Sequence, residues 1–161
     1  MIKSLHISPR TRQLILEALA FLFIVLFTYG AVTKLLILEE FQVQLEQFPY
    51  VSGIAEELGY MIPTLQLLIA ILFFFHRFRR LAFYASLGIM LLFSLYIVAV
   101  LNFADSIPCS CGGIIHSLSW TEHLVFNSVF IILALLAILL SGSQGKNSEI
   151  QAAPLKMGTR N

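Results

Sequence analysis

Four long apolar segments constrain this chain most, because one crossing of a lipid bilayer requires about 20 consecutive apolar residues. The segments cover 14–38, 59–75, 81–103 and 120–140. They take up most of a 161-residue chain in which 58% of the residues are hydrophobic and 12% are charged. Water-soluble domains do not have this composition. The sequence therefore predicts an integral membrane protein surrounded by a lipid bilayer.

The short connections between these segments predict an all-α fold, a four-helix transmembrane bundle. The basic run 76–80 is so short that the second and third spans must form an antiparallel hairpin. The acidic segment 39–58 carries Phe41, Leu45 and Phe48 at helical spacing, which predicts a short interfacial helix after the first span. We expect an N-terminal segment at 1–13, a four-span membrane domain at 14–140 and a disordered tail at 141–161.

A cleaved signal peptide is the competing interpretation of the first apolar segment. A basic start precedes it, and Thr28-x-Gly30 before Ala31 has the small residues of a cleavage site. However, the apolar run continues to about Leu38, well beyond the roughly 7–15 residues of a signal core. We therefore expect an uncleaved first helix.

The charged residues predict how the chain is oriented. Nine of the ten Lys and Arg residues precede the first span, lie between the second and third spans, or follow the fourth. Positively charged loops stay in the cytoplasm, so we expect both termini to be cytoplasmic (N-in/C-in). The acidic segment and the cysteines would then face the extracytoplasmic side, where disulfides persist. The net charge of +1 argues against nucleic acid as a partner.

Covalent chemistry is plausible in the segment 108–127, which contains both cysteines and two of the four histidines. Cys109 and Cys111 are one residue apart, so a disulfide between them closes a very small ring and adds little stability. Pro108 and Gly112 permit the tight turn that such a ring needs. Strained disulfides are easily reduced, which suits thiol exchange.

Three interpretations of this cysteine pair remain open. In the redox interpretation, the fourth helix dipole and a protonated His116 or His123 favour the reactive thiolate. In the second, the cysteines are idle and behave as small apolar residues. In the third, Cys109, Cys111, His116 and His123 bind zinc or copper, although their spacing differs from that of usual metal sites.

Trp120, His123 and Asn127 share one face of the fourth span because they are three and four residues apart. This face follows the cysteines and is a candidate site for a flat headgroup such as that of a membrane quinone. The alternatives are that Asn127 hydrogen-bonds a neighbouring helix and that Trp120 belongs to the interfacial aromatic belt.

Lys34, near the end of the first span, is a further candidate because an ionisable group in a membrane span is costly and often functional. Asp105 or Glu39 would be its partner. The alternative is that the lysine side chain extends outward to the membrane surface and has no other role.

Several motifs carry a family resemblance: Tyr29 to Leu35, Phe41 to Pro49, Cys109 to Gly113, and Leu118-Ser119-Trp120 with Asn127. Together they resemble the DoxX-like family and, within it, the MauE group of methylamine utilisation proteins. The likeness covers about 14–140 and includes the four-helix layout. It implies a multi-pass protein of the bacterial inner membrane, linked to disulfide formation or electron transfer. An exported thioredoxin-like partner is implied as well.

The residues and the resemblance together predict a thiol–disulfide oxidoreductase or electron-transfer protein that supports maturation of an exported partner. The chain has two cysteines, so electrons cannot pass between two internal pairs and must reach a partner's thiols or a bound acceptor such as a quinone. Two alternatives come from other classes of protein. One is a non-enzymatic assembly factor with dispensable cysteines, and the other is a metal-handling protein.

Overall fold

The computed structural model describes residues 8–46, 51–103 and 120–152, which form helices connected by short turns. Four helices or helical segments are long and apolar enough to cross a membrane. The predicted all-α bundle with a short helix after the first span is confirmed. The helices are α1 (Pro9–Leu36), α2 (Leu38–Glu46), α3 (Ala55–Phe74), α4 (Arg79–Phe103) and α5 (Trp120–Ala152), with a 3-10 turn at Ser52–Ile54 before α3.

Helix α1 begins five residues before the predicted apolar segment. Its start is fixed by Ser8, whose side-chain oxygen accepts a hydrogen bond from the Thr11 amide at 3.2 Å. Pro9 occupies the first helical position, where its missing amide proton is not needed. This cap and proline place the helix start in the polar segment, which hydropathy alone does not detect.

Helix α5 begins at Trp120, as the sequence predicted, but it ends later than expected. It continues to Ala152, whereas the sequence predicted a disordered tail from Ser141. Between Trp120 and Pro154 the sequence has no proline that would break the helix. The Ser141 hydroxyl donates to the Ala137 carbonyl at 2.8 Å within the helix. Polar composition marks the end of the apolar span but does not by itself end a helix.

The four long helices form an antiparallel bundle. Helix α1 packs along α3, α3 against α4, α4 against α5, and α5 against α1. Helices α3 and α5 therefore lie diagonally opposite, and their described backbones do not approach each other closely, whereas α1 and α4 meet across the other diagonal. We call the end where α1 and α4 finish and α3 and α5 begin the distal end, and the opposite end, near Pro9, the proximal end.

A layer of four phenylalanines, one from each long helix, holds the bundle together. The Phe23 ring lies 5.9 Å from Phe73, 5.9 Å from Phe83 and 5.5 Å from Phe130, measured between ring centroids. Three of these side chains are at most 1% exposed, and Phe130 is 9% exposed. Helices associate in a bilayer through close packing of this kind, because lipid provides no hydrophobic driving force. We refer to these residues as the phenylalanine layer.

The outer faces of the helices are apolar. Phe21, Leu92 and Leu139, on three different spans, are between 63% and 74% exposed. So many large apolar side chains on all sides of a bundle would cause aggregation in water. In a membrane protein they contact lipid, so the bilayer is a partner of this chain.

Pro63 lies inside α3, yet the helix continues past it. The proline has no amide proton to donate to the Gly59 carbonyl one turn earlier. The next residue, Thr64, donates its hydroxyl to the Tyr60 carbonyl at 2.7 Å. Membrane helices tolerate proline, and here the Thr64 hydroxyl adds a bond at the neighbouring carbonyl rather than replacing the one that the Gly59 carbonyl loses.

Helix α2 folds back onto the start of α3. Gln42 donates a hydrogen bond from Nε2 to the Glu56 carbonyl at 3.3 Å. A Cβ atom at Gly59 would lie 2.5 Å from Gln42 Cγ, closer than such atoms approach. Glycine at this position therefore allows α2 to pack against α3 at the distal end.

Candidate functional site

The predicted site residues divide into two groups. Cys109, Cys111 and His116, with the possible Lys34 partner Asp105, lie outside the described residues. The backbone of Trp120 begins α5, so the segment that carries the cysteines connects the distal ends of α4 and α5. Lys34, His123 and Asn127 are described in full, and all three lie in the distal half of the bundle.

Polar groups from three helices lie at one level of the distal half. Gly30, Gln66 and His123 are each seven residues from the phenylalanine of the phenylalanine layer on their own helix, in the distal direction. Seven residues correspond to about 10 Å along a helix axis. Lys34 belongs to the same level, because its Nζ donates a hydrogen bond to the Gly30 carbonyl at 3.1 Å.

Lys34 is half-buried and does not extend freely outward. Besides its bond to Gly30, its Nζ lies 5.7 Å from the centroid of the Phe41 ring of α2, a cation–π distance. No ion pair joins Lys34 to Glu39 or to any other carboxylate in the part of the chain that the structure describes. The predicted pairing with Glu39 is therefore not found.

His123 of α5 is half-buried and lies close enough to Lys34 for the lysine charge to act on its imidazole. The two predicted residues thus lie in the same half of the bundle, although they are far apart in the sequence. A cation and an imidazole at one site can stabilise a developing negative charge and move a proton.

Asn127 is 3% exposed, and its amide nitrogen Nδ2 has no hydrogen-bond partner among the described residues. The expected bond to a neighbouring helix is therefore not found in this part of the chain. Gln66 of α3 is 5% exposed, and its Oε1 likewise has no partner within the described ranges. A buried polar group left unpaired costs about 1–3 kcal/mol.

Buried hydroxyl groups in the same bundle do have partners. Ser86 donates to the Ala82 carbonyl at 2.7 Å, and Ser94 donates to the Met90 carbonyl at 2.8 Å, each within α4. A serine satisfies its hydroxyl within its own helix, whereas a buried amide needs a partner elsewhere. Among the described polar residues that are buried as a whole, the two amides are therefore the ones that leave a polar atom unpaired.

The sequence analysis did not select Gln66. The signal was present, because an amide in an apolar span needs an explanation, as Asn127 did. Gln66 lies on α3, whereas His123 and Asn127 lie on α5, so no helix-face pattern in the sequence links them. Only the packing of the four helices shows that it lies at the level of His123.

The distal end carries a negative surface. The carboxylates of α2 and of the first turn of α3 are all exposed, and we call this set the acidic surface: Glu39, Glu40, Glu46, Glu56 and Glu57. The described basic residues other than Lys34 all belong to the proximal end: Arg10, Arg12, Arg77, Arg79, Arg80 and Lys146. The two ends of the bundle thus carry opposite charge.

Metal-ligating side chains do not cluster in groups of three or more within 8–46, 51–103 and 120–152. Of the set in the zinc or copper interpretation, only His123 falls in these ranges. That interpretation stays a hypothesis about residues outside the described part.

These features define an integral, multi-pass membrane protein with polar groups gathered in one half of its bundle. The chain belongs to the MauE family: the family model described as methylamine utilisation protein MauE matches residues 12–140. The match includes all four spans and the segment with both cysteines, and it confirms the predicted likeness to MauE. Comparisons with curated proteins and with solved structures gave no match.

Proposed function

We propose that this protein is a thiol–disulfide oxidoreductase of the bacterial inner membrane that supports maturation of an exported partner. One observation carries the proposal. The segment containing Cys109 and Cys111 connects α4 and α5 at the end of the bundle where Lys34, His123 and Asn127 gather. A reactive cysteine pair would therefore be tethered in the same half of the bundle as His123, whose imidazole can receive a proton.

Thiol–disulfide exchange between the partner and the Cys109–Cys111 pair needs no further oxidant or reductant. One thiolate of a reduced, thioredoxin-like partner attacks the Cys109–Cys111 disulfide, and a mixed disulfide forms as the first sulfur–sulfur bond breaks. The partner's second thiolate attacks that mixed disulfide, which leaves the partner oxidised and Cys109 and Cys111 as thiols. Two electrons and two protons have then moved to this protein and must leave it.

A membrane quinone, when bound, would accept those two electrons and two protons. The residues that would hold it are Trp120, His123 and Asn127, and the unpartnered buried amide of Asn127 fits an oxygen-bearing ring. His123 would hold or move a proton, and Lys34 would stabilise negative charge beside it. The two cysteines and this site are then the two halves of one electron path.

The charge distribution supports the proposed orientation. The arginines of the proximal end would lie in the cytoplasm, with both termini. The acidic surface and the cysteine segment would face the extracytoplasmic side, where a disulfide persists and an exported partner is found.

The first test is the thiol state of Cys109 and Cys111 in intact cells, trapped with acid and measured by a maleimide mass shift. We expect an oxidised pair that becomes reduced when quinone is depleted. Cys109→Ser and Cys111→Ser should each abolish oxidation of the partner, while Ser110→Ala, in the same segment, should leave it unchanged. A Cys111→Ser variant that oxidises its partner at the normal rate would contradict the proposal.

A non-enzymatic assembly factor is the second candidate, and the exposure of the acidic surface favours it. A basic partner would dock on these carboxylates, and the cysteines would be dispensable. Exchanging Glu39, Glu40, Glu56 and Glu57 for Gln would then release the partner, as measured by co-purification from detergent extracts. Retention of the partner by this variant would exclude the scaffold hypothesis.

A further inference from the structure

We propose that Gln66 is a second ring-binding residue of the quinone site, acting from the side of the bundle opposite Asn127. The inference rests on the proposed function only for the identity of the ligand, a quinone headgroup. The two buried, unpartnered amides described above carry it.

The position of the two amides suits a ligand with two separated oxygen atoms. Gln66 belongs to α3 and Asn127 to α5, the helices that lie diagonally opposite in the bundle. From the phenylalanine layer, Gln66 is seven residues and Asn127 three residues in the distal direction, an offset of about 6 Å along the axis. A ring whose carbonyl oxygens point in opposite directions presents one oxygen to each helix.

The chemistry of an amide also suits both oxidation states of such a ring. A quinone oxygen only accepts hydrogen bonds, whereas a quinol hydroxyl also donates one. Each amide has an NH₂ donor and an oxygen acceptor, and it can present either after rotation of its terminal torsion. Gln66 and Asn127 would therefore bind the ring before and after electron transfer, which a lysine or a carboxylate could not do equally well.

A purely structural role explains the two amides less well. Amides inside membrane bundles commonly hydrogen-bond a neighbouring helix and so stabilise the pairing. Gln66 and Asn127 make no such bond to any described residue. As structural groups they only destabilise the bundle, because each is removed from water without compensation.

The test uses the full-length protein in lipid nanodiscs and ubiquinone-1 as the probe. Binding is measured as the rise in Tm with increasing ubiquinone-1 and fitted to a Kd. We expect Gln66→Met, which keeps the side-chain length, and Asn127→Leu each to weaken binding about threefold to tenfold, the effect of one lost hydrogen bond. Ser94→Ala is the matched control, since its hydroxyl is buried and already bonded to Met90.

The same titration separates a ligand contact from a structural role. Without ubiquinone-1, the Tm of Gln66→Met should equal or exceed that of the wild type, because an unpaired polar group has been removed. Unchanged ubiquinone-1 affinity in Gln66→Met would overturn the inference. So would a Tm that falls without ubiquinone-1 while the affinity stays at the wild-type value.

Failure of this inference can be told apart from failure of the proposed function. A variant with both cysteines changed to Ser should bind ubiquinone-1 like the wild type and lose all oxidation of the partner. If the wild type showed no thiol exchange but Gln66→Met still weakened ubiquinone-1 binding, the thiol function would be refuted and the Gln66 contact supported. If thiol exchange were normal and binding did not depend on Gln66, only the Gln66 contact would be refuted.

Discussion

The proximal and distal halves of this bundle differ in what fills their interiors: packed aromatic rings in one, and polar groups in the other. In the proximal half, the phenylalanine layer joins all four spans, with rings packed at 4.9–5.9 Å. In the distal half, the described contacts of Lys34 are its own helix backbone and a ring face, and two buried amides have no partner among the described residues. The proximal end also has buried nitrogens without a described partner, on Arg12 and Arg79, but these belong to long basic side chains outside the phenylalanine layer. Proteins keep such unfavourable groups where function needs them and compensate for them elsewhere. The difference suggests that the proximal half stabilises the fold and the distal half carries the chemistry.

The largest effect on stability is expected from Phe23→Ala, at the centre of the phenylalanine layer. Loss of a fully buried ring should lower the free energy of unfolding by about 3–5 kcal/mol. The control is Phe21→Ala, whose ring is 68% exposed and should change stability by less than about 0.5 kcal/mol. Unfolding in mixed micelles with increasing SDS measures both. Equal losses of unfolding free energy in the two variants would mean that the phenylalanine layer does not hold the spans together.

The second largest effect is expected for Lys34, and it concerns activity rather than stability. Lys34→Met should reduce oxidation of the partner about 10- to 100-fold, the worth of one hydrogen bond from a charged group. The fold should persist, because Lys34 makes no ion pair with a described residue. Thr33→Ala is the neighbouring control, since Thr33 bonds only carbonyls of its own helix. Full activity in Lys34→Met would remove the lysine from the proposed site.

Gly59→Ala tests the packing of α2 at the distal end. The added methyl group would collide with Gln42, so we expect a loss of about 1–3 kcal/mol in unfolding free energy. Gly88→Ala is the control, because nothing lies within 4 Å of the added atom, and better helix propensity should stabilise it by about 0.5–1 kcal/mol. The SDS concentration needed for unfolding should thus fall for Gly59→Ala and rise for Gly88→Ala. A shift of both variants in the same direction would show that α2 is not tightly packed there.

The smallest expected change in unfolding free energy is that of Asn127→Leu, and its sign shows whether the asparagine stabilises the bundle. Without ligand, Asn127→Leu should raise the free energy of unfolding by about 1 kcal/mol, since it removes an unpaired polar group from the interior. Ser86→Ala removes a hydroxyl that is bonded and should lower it by about 0.5–1.5 kcal/mol. Thermal unfolding in detergent provides both values. A destabilised Asn127→Leu would make the asparagine a structural residue.

The sequence predicted the helices well because bilayer thickness and hydropathy determine them locally. The spans and the short helix at Phe41 and Leu45 were confirmed, with differences at the helix ends, where Ser8 caps α1 and α5 continues to Ala152. The assignment of residues to sites was harder. Lys34 and His123 could be selected singly, but their proximity depends on how α1 and α5 pack.

Gln66 and Gly59 show what could not be read from the sequence. Each is one unremarkable residue in an apolar segment until the neighbouring helix is known. Gly59 matters because Gln42 of α2 lies against it, and Gln66 matters because its Oε1 has no partner among the described residues. Contacts between helices set both properties, and no local pattern encodes them.

The length of α5 has a practical consequence for imaging. Its membrane-spanning part ends at Gly142, but the helix continues to Ala152, about 15 Å further along the same axis. A chain of 18.1 kDa is small for single-particle electron microscopy. A soluble domain joined in continuous helical frame after Ala152 would serve as a rigid marker pointing along the fourth span. Each residue added at the junction would rotate that marker by about 100° around the axis.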